Sequence, residues 1–142
     1  MNEFLNKNQM ASLVEAIQIA EDHSTGEIRV HIDSTTGEKN PKVALDVFHS
    51  LKMHETKDRN AVLFHVNFEQ KYLTILGDEG IHKHVSQKFW DALHDKITNE
   101  FSKGNYFDGL FNAILETGIE LKKYFPIMGE NPNELPNEIT FS

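Results

Sequence analysis

From Ala61 to Val66 the chain reads Ala61-Val62-Leu63-Phe64-His65-Val66, a short and nearly unbroken apolar run. A strand with one wet face alternates polar and apolar residues, whereas a strand without that alternation needs cover on both faces. This segment is therefore expected at the centre of a sheet with helices above and below. Asn67 to Gln70 is a polar connection of hairpin length, and Lys71-Tyr72-Leu73-Thr74-Ile75-Leu76 supplies an antiparallel partner. Gly77 and Gly80 stop it. Upstream, Glu27-Ile28-Arg29-Val30-His31-Ile32-Asp33 alternates strictly, the period of a strand with one buried face. Between these strands, Asn40-Pro41 reads as an N-cap followed by a first-turn proline. Ala44, Val47, Phe48 and Leu51 then form the apolar stripe of a helix ending near Met53. A helix joining two strands of one sheet makes them parallel, with a right-handed crossover.

Helices account for most of the remainder. Met10, Leu13, Val14, Ile17 and Ala20 recur at helical spacing, predicting a helix from about residue 8 to 22 capped by Asn6 or Asn8. Val85, Phe89, Leu93, Ile97 and Phe101 repeat every fourth position, and Gly104 stands where a helix end favours a left-handed residue. Asn105 can cap a last helix, with Leu110, Phe111, Ile114, Gly118, Leu121 and Phe125 inward, until Pro126 stops it. Phe89, Trp90 and Phe101 are assigned to the core. The order predicts an α/β fold: a small mixed sheet flanked by helices on both sides. A single domain over residues 1–126 is followed by an acidic extended tail over residues 127–142, where Ile139-Thr140-Phe141 can dock as an edge strand.

Composition narrows the function. The 142 residues, 39% of them hydrophobic, suit one domain with its own core. With no cysteine there is no disulfide, no thiolate metal site and no cysteine nucleophile. Fourteen Lys and Arg against 22 Asp and Glu leave a formal charge of −8, which repels nucleic acid and anionic membranes. A solvated acidic surface is also common in soluble proteins. The N-terminus lacks a signal-peptide pattern, and no apolar run approaches the ~20 residues of a membrane helix. A cytoplasmic location without membrane insertion is the expectation.

The topology gathers Thr25-Gly26-Glu27, Asp58-Arg59-Asn60 and Gly77-Asp78-Glu79-Gly80 at one edge of the sheet. Glu27, Asp58, Asp78 and Glu79 there form an oxygen set suited to Ca²⁺ or Mg²⁺. The plainer alternative is that Asp78 makes a turn and caps the next helix. Twelve lysines stand against only two arginines, Arg29 and Arg59, both mapping near that edge. Their planar forks suit phosphate or carboxylate, and pairing with Glu27 or Asp78 is the structural alternative. Of eight histidines, His82-Lys83-His84 is the tightest group, but two residues apart on a helix they face different ways. His54-Glu55 lacks the second histidine of a zincin pair. His31 and His65, inside strands, read as hydrogen-bonded structural residues. There is no P-loop, dinucleotide fingerprint or nucleophile elbow.

A wider pattern is carried by Ala20-Glu21 with Thr25-Gly26-Glu27-Ile28-Arg29-Val30, then Thr56 with Arg59-Asn60-Ala61-Val62-Leu63. It continues in Ile75-Leu76-Gly77-Asp78-Glu79-Gly80-Ile81 and Phe101-Ser102-Lys103-Gly104-Asn105-Tyr106. Over residues 8–126 this order resembles the TPM domain, a family that includes a thylakoid-lumen protein of photosystem II repair and a modulator of levamisole receptors. Asn133-Glu134-Leu135-Pro136-Asn137-Glu138-Ile139 resembles a small soluble bacterial subgroup. The resemblance implies a three-layer α/β/α sandwich, an acidic Ca²⁺ or Mg²⁺ site and acid phosphatase activity. Asp78 matches the family's Gly-Asp turn and Asn60 the asparagine opening its central strand. Arg59, Ala61 and Asn105 stand where many members carry aspartate, glycine and aspartate. As an enzyme, the chain would hold the cation on Asp78, Asp58 and Glu27, with Glu79 the nearest spare carboxylate. Arg59 and Asp78 would be catalytic, and Arg29, Arg59 and Asn60 would hold the phosphoryl oxygens of a phosphorylated substrate. As a binding module, the same cation would brace three loops against a protein partner without turnover. A third reading is a structural domain without a ligand.

Overall fold

The computed structural model describes residues 4–34, 41–127 and 136–142. Helix α1 (Lys7–Asp22) leads into β1 (Glu27–Asp33), α2 (Pro41–Ser50), a 3-10 turn (Met53–Glu55), β2 (Ala61–Asn67) and β3 (Tyr72–Gly77). After them come α3 (Glu79–His82), α4 (Gln87–Ser102), α5 (Tyr106–Tyr124) and β4 (Thr140–Phe141). The sheet order is β3-β2-β1-β4. Every residue of β2 is buried, as its apolar run requires. β1 pairs with β2 in parallel from Glu27 opposite Ala61 to Asp33 opposite Asn67, and β3 pairs with β2 antiparallel. The tail closes the other side: Thr140 and Phe141 lie parallel to β1, opposite His31 and Ile32. The proposed Asn40 cap and half of the tail, residues 128–135, lie outside the described residues.

Two apolar layers hold the sheet. On one face Ile28, Val30, Ile32, Val62, Phe64 and Val66 pack with inward residues of α1, α4 and α5. On the other, Ala61 and Leu63 meet Phe48 of α2 and Met53 of the 3-10 turn. Each fully buried side chain of this kind contributes about 1.5–3 kcal/mol. Trp90 and Phe101 belong to the larger core and Phe89 packs against it, as the sequence implied. One expectation needs correction: β1 does not keep a wet face. All seven of its residues are buried, Glu27, Arg29, His31 and Asp33 included. Alternation reports two chemically different faces, and here the polar one is covered as well.

Local signals explain the boundaries. Asn6 caps α1 in a reciprocal capping box with Gln9. α2 stops at Ser50, and Lys52, with φ of 60°, turns the chain into the 3-10 turn. Ser86 caps α4, so this helix begins at Gln87, slightly later than the spacing of Val85 implied. Gly104 (φ 81°) ends it in the left-handed region. Asn105 does not cap α5 through its side chain; its amide instead donates to Glu100 Oε2 at 3.0 Å. The short helix α3, absent from the sequence expectation, starts at Asp78, whose carboxylate accepts the Glu79 backbone N–H. Among the described residues no helix is long and apolar enough to cross a membrane.

Gly80 fixes how α3 meets the loop before β2. Its N–H donates to the Arg59 carbonyl at 2.7 Å, and a Cβ there would run into the backbone carbonyl of Asp58. Nothing lies within 4 Å of a Cβ built on Gly104. Gly80→Ala should therefore lower unfolding free energy by about 3 kcal/mol, against about 1 kcal/mol for Gly104→Ala, where only backbone strain is added. Urea unfolding of both variants checks the ranking, and equal losses would contradict the close approach.

Candidate functional site

The parallel register brings the three loops together. With Glu27 opposite Ala61 and Val62 opposite Gly77, the entries to β1 and β2 share a rim with the exit of β3. Thr25 Oγ1 donates to Asp58 Oδ2 at 2.8 Å, and Asn60 Nδ2 donates to Thr25 Oγ1 at 3.1 Å. Asn60 is fully buried, yet its Oδ1 has no hydrogen-bond donor. The hydroxyl of Thr56, in the same loop, is also buried and unpartnered. Two oxygen atoms withdrawn from water without donors are unusual in one short loop.

Arg59 occupies the centre of the rim. It adopts φ of 52°, in the left-handed region where a non-glycine residue is strained. Its Nε donates to Asp78 Oδ2 at 2.7 Å, its second terminal nitrogen to Asp78 Oδ1 at 3.0 Å, and its first to Glu79 Oε1 at 3.3 Å. The two-pronged clamp on Asp78 is the geometry arginine favours on planar anions. Asp78, buried, both caps α3 and receives Arg59, so the turn-and-cap role and the arginine pairing foreseen as structural alternatives are present.

Glu27 and Arg29 belong to a neighbouring, deeper group. Ile28 N–H donates to Glu21 Oε2 at 2.8 Å, and the carboxyl groups of Glu21 and Glu27 hydrogen-bond each other. Burial, then the adjacent charge of Glu27, pushes the Glu21 pKa up to about 9, so Glu21 carries a proton at neutral pH. Burial lowers the Arg29 pKa against the attraction of Glu138, Glu21 and Glu27. The two arginines thus serve different anionic partners, Arg59 facing Asp78 and Glu79.

A second polar group lies toward the other end of β1, where the sequence reading saw only structural histidines. His31 is directly opposite His65, with ring centroids 5.5 Å apart and planes 18° from parallel. His31, Asp33 and His65, all buried, offer ligand atoms that lie within 4.8 Å of one another. Among the described residues this is the group of His and acidic side chains close enough to surround an ion. His31 Nδ1 and Nε2 contact Thr140 Oγ1 at 2.8 Å and Ser142 Oγ at 2.6 Å. His65 Nε2 is 3.4 Å from Asp33 Oδ2. Burial, with a smaller effect of His65, lowers the His31 pKa to about 4; burial also lowers that of His65 against the pull of Asp33. Both rings are neutral at pH 7. The signal was in the sequence as His31-x-Asp33, but the partner appears only once β1 is aligned with β2.

The Glu21 carboxyl sets a pH dependence. Above pH 4.5 the unfolded chain releases this proton, while the folded chain keeps it until about pH 9. Stability from this group is therefore full below the unfolded pKa and lost as pH rises through that window. Glu21→Gln, which keeps an acceptor for Ile28 and a donor for Glu27, should flatten the loss between pH 5 and pH 9. Thermal melts across that range check it; an unchanged slope would mean that Glu21 ionises normally.

The TPM domain family matches residues 1–118. No curated protein matches the chain. Among solved structures, the NMR structure of the BA42 protein from the psychrophilic bacterium Bizionia argentinensis is 42% identical, with a TM-score of 0.92, covering 100% of this chain and 98% of that one. The N-terminal domain of a P. gingivalis protein shares the fold at 17% identity and a TM-score of 0.73, over 90% of this chain and 84% of that one. The N-terminal domain of cg2496 from Corynebacterium glutamicum does so at 11% identity and a TM-score of 0.57, over 82% and 74%. With the family match spanning most of its length and the α/β sandwich in place, this chain belongs to the TPM domain family.

Proposed function

We propose that the rim formed by residues 25–27, 56–60 and 77–80 binds a hard divalent cation, Ca²⁺ or Mg²⁺. The unpartnered Oδ1 of the fully buried Asn60 carries this reading, because a cation coordinated by that oxygen would satisfy it. The donor set is all oxygen: Asp58, Asn60 Oδ1 and Thr25 Oγ1, with Asp78 available once Arg59 shifts and Glu79 exposed beside it. Such a set matches Ca²⁺ or Mg²⁺ better than zinc or copper. Glu27 is the remaining expected carboxylate, and its hydrogen bond to Glu21 makes it the last to be recruited.

Phosphomonoester hydrolysis is the second reading, supported by the Arg59 fork. A guanidinium that already spans both oxygens of Asp78 has the shape to span two phosphoryl oxygens. A bound divalent ion supplies positive charge to a phosphoryl oxygen and lowers the pKa of a coordinated water. Arg59 would orient the phosphoryl group and stabilise its developing charge, Asp78 would hold Arg59 in register, and Glu79 is the nearest carboxylate for a proton. Arg29, with its own anionic neighbours, would add positive potential beneath.

Titration of chelator-stripped protein with Ca²⁺ or Mg²⁺, followed by backbone amide shifts, should move residues 25–27, 56–60 and 77–80 together. Asp58→Asn should weaken binding about tenfold, equivalent to ~1.4 kcal/mol, whereas Asp33→Asn, at the opposite end of β1, should not. Shifts confined to a single segment would defeat the shared site. Arg59→Ala should keep the cation and abolish any cation-dependent hydrolysis of a generic phosphomonoester; turnover that survives it would remove Arg59 from the chemistry.

A further inference from the structure

We infer that His31, Asp33 and His65 form a second metal site, selective for a first-row divalent transition ion such as Zn²⁺, on the sheet face beside the C-terminal strand. The donors are two imidazole nitrogens and one carboxylate oxygen, a set that favours zinc and its neighbours over Ca²⁺ and Mg²⁺. Their ligand atoms already lie within 4.8 Å of one another. Zinc bonds of about 2.0–2.2 Å place tetrahedral ligands about 3.4 Å apart, so closure of roughly an ångström, within reach of side-chain rotation, assembles three ligands.

A second observation points to a missing ligand. His65 is only 3% exposed, and neither of its ring nitrogens makes a hydrogen bond; Nε2 stands 3.4 Å from Asp33 Oδ2, a long ion-pair contact, and Nδ1 has no partner. A buried imidazole normally has at least one partner. A metal on one nitrogen of His65 satisfies it and draws Asp33 into the same coordination sphere. His31 is oriented by hydroxyls of the tail, Thr140 and Ser142, one on each ring nitrogen. Coordination by His31 replaces one of these contacts, while the other holds the ring in place. The ion therefore ties β1, β2 and the terminal segment together, and the tail reports its arrival. This site is separate from the rim in both position and chemistry: His31 to Asp33 end β1, whereas the rim lies at its start.

The test uses the full, chelator-stripped chain titrated with Zn²⁺ and followed by the ring nitrogen shifts of all eight histidines. The expected result is one ion per chain, shifts at His31 and His65, and movement of the Thr140 and Ser142 amides. Excess Ca²⁺ should not reverse them. Co²⁺ in place of Zn²⁺ should give visible d–d absorption that His65→Gln removes, and His65→Gln should weaken Zn²⁺ binding by at least about 100-fold. Asp78→Asn should leave Zn²⁺ binding unchanged while weakening Ca²⁺ binding at the rim. Asp33→Asn, close in shape to the native residue, serves as a second ligand variant should His65→Gln fail to fold. No binding, or shifts confined to the neighbouring rings of exposed His49 and half-buried His54 or to exposed His82 and His84, would overturn the inference, and the wild-type ring shifts decide this without any variant.

Discussion

Seven residue pairs, Glu27 with Ala61 through Asp33 with Asn67, join β1 to β2 in parallel, and nearly every other placement in the molecule depends on this ladder. Its direction is set by the α2 crossover, and its register puts Ile28, Val30 and Ile32 of β1 on the same face as Val62, Phe64 and Val66 of β2, where they meet α1, α4 and α5. A slip of one residue would turn the charged side chains of β1 into that core. The same register gathers the entries of both strands with the exit of β3, which makes a three-loop rim possible, and sets His31 directly opposite His65. Both polar clusters are thus consequences of one pairing.

The cost of this arrangement falls on the other face of β1. Glu27, Arg29, His31 and Asp33 are each at most 6% exposed, and burying such a column of charge is unfavourable unless each group is neutralised or paired. The molecule uses both remedies. Glu21 is held protonated beside Glu27, both histidines are held neutral, and Arg29 is surrounded by three carboxyl groups. The tail completes the cover, with β4 pairing along His31 and Ile32 and the hydroxyls of Thr140 and Ser142 on the His31 ring. Its two strand residues make up for little apolar burial with placement: they occupy an otherwise open backbone edge and shield polar groups that need a dry, matched environment.

The apolar run of β2, the hairpin, the crossover and the docking of Thr140 and Phe141 were all legible in the sequence, because each rests on local periodicity or on a chirality rule. The shared rim followed from the same reasoning, and the structure links Thr25, Asp58 and Asn60 in one chain of hydrogen bonds and Arg59, Asp78 and Glu79 in a second group of ion pairs. What was not legible is what depends on a third element. The wet face assigned to β1 turned out buried, and Glu21 of α1 and Glu138 of the tail come near enough to act on the charge of Arg29. His31 and His65 are separated by a helix in the sequence and meet only through the register, so no spacing rule could pair them. The short helix α3 begins on Asp78 with a single turn, too little for a periodic signal.

Asp58 and Asp78 are not equivalent within the rim, although both are aspartates in loops entering or leaving the sheet. Asp78 is fully engaged: one oxygen takes the Glu79 N–H and an Arg59 nitrogen, and the other takes Arg59 Nε. To face a cation it must give up part of a bidentate ion pair. Asp58 accepts the hydroxyl of Thr25, a neutral donor, and so holds the more accessible charge. Beside it stands Asn60 Oδ1, already desolvated and without a donor. A cation entering this rim would meet Asp58 and Asn60 first, and would draw in Asp78 only by competing with the guanidinium of Arg59. In the proposed site that competition would couple the two halves: a group that took Arg59 away from Asp78, a phosphoryl group included, would make Asp78 a better cation ligand. The backbone supports such an exchange, because the strained Arg59 lies against the start of α3 through the Gly80 N–H, so guanidinium and carboxylate are carried on two segments that contact each other directly.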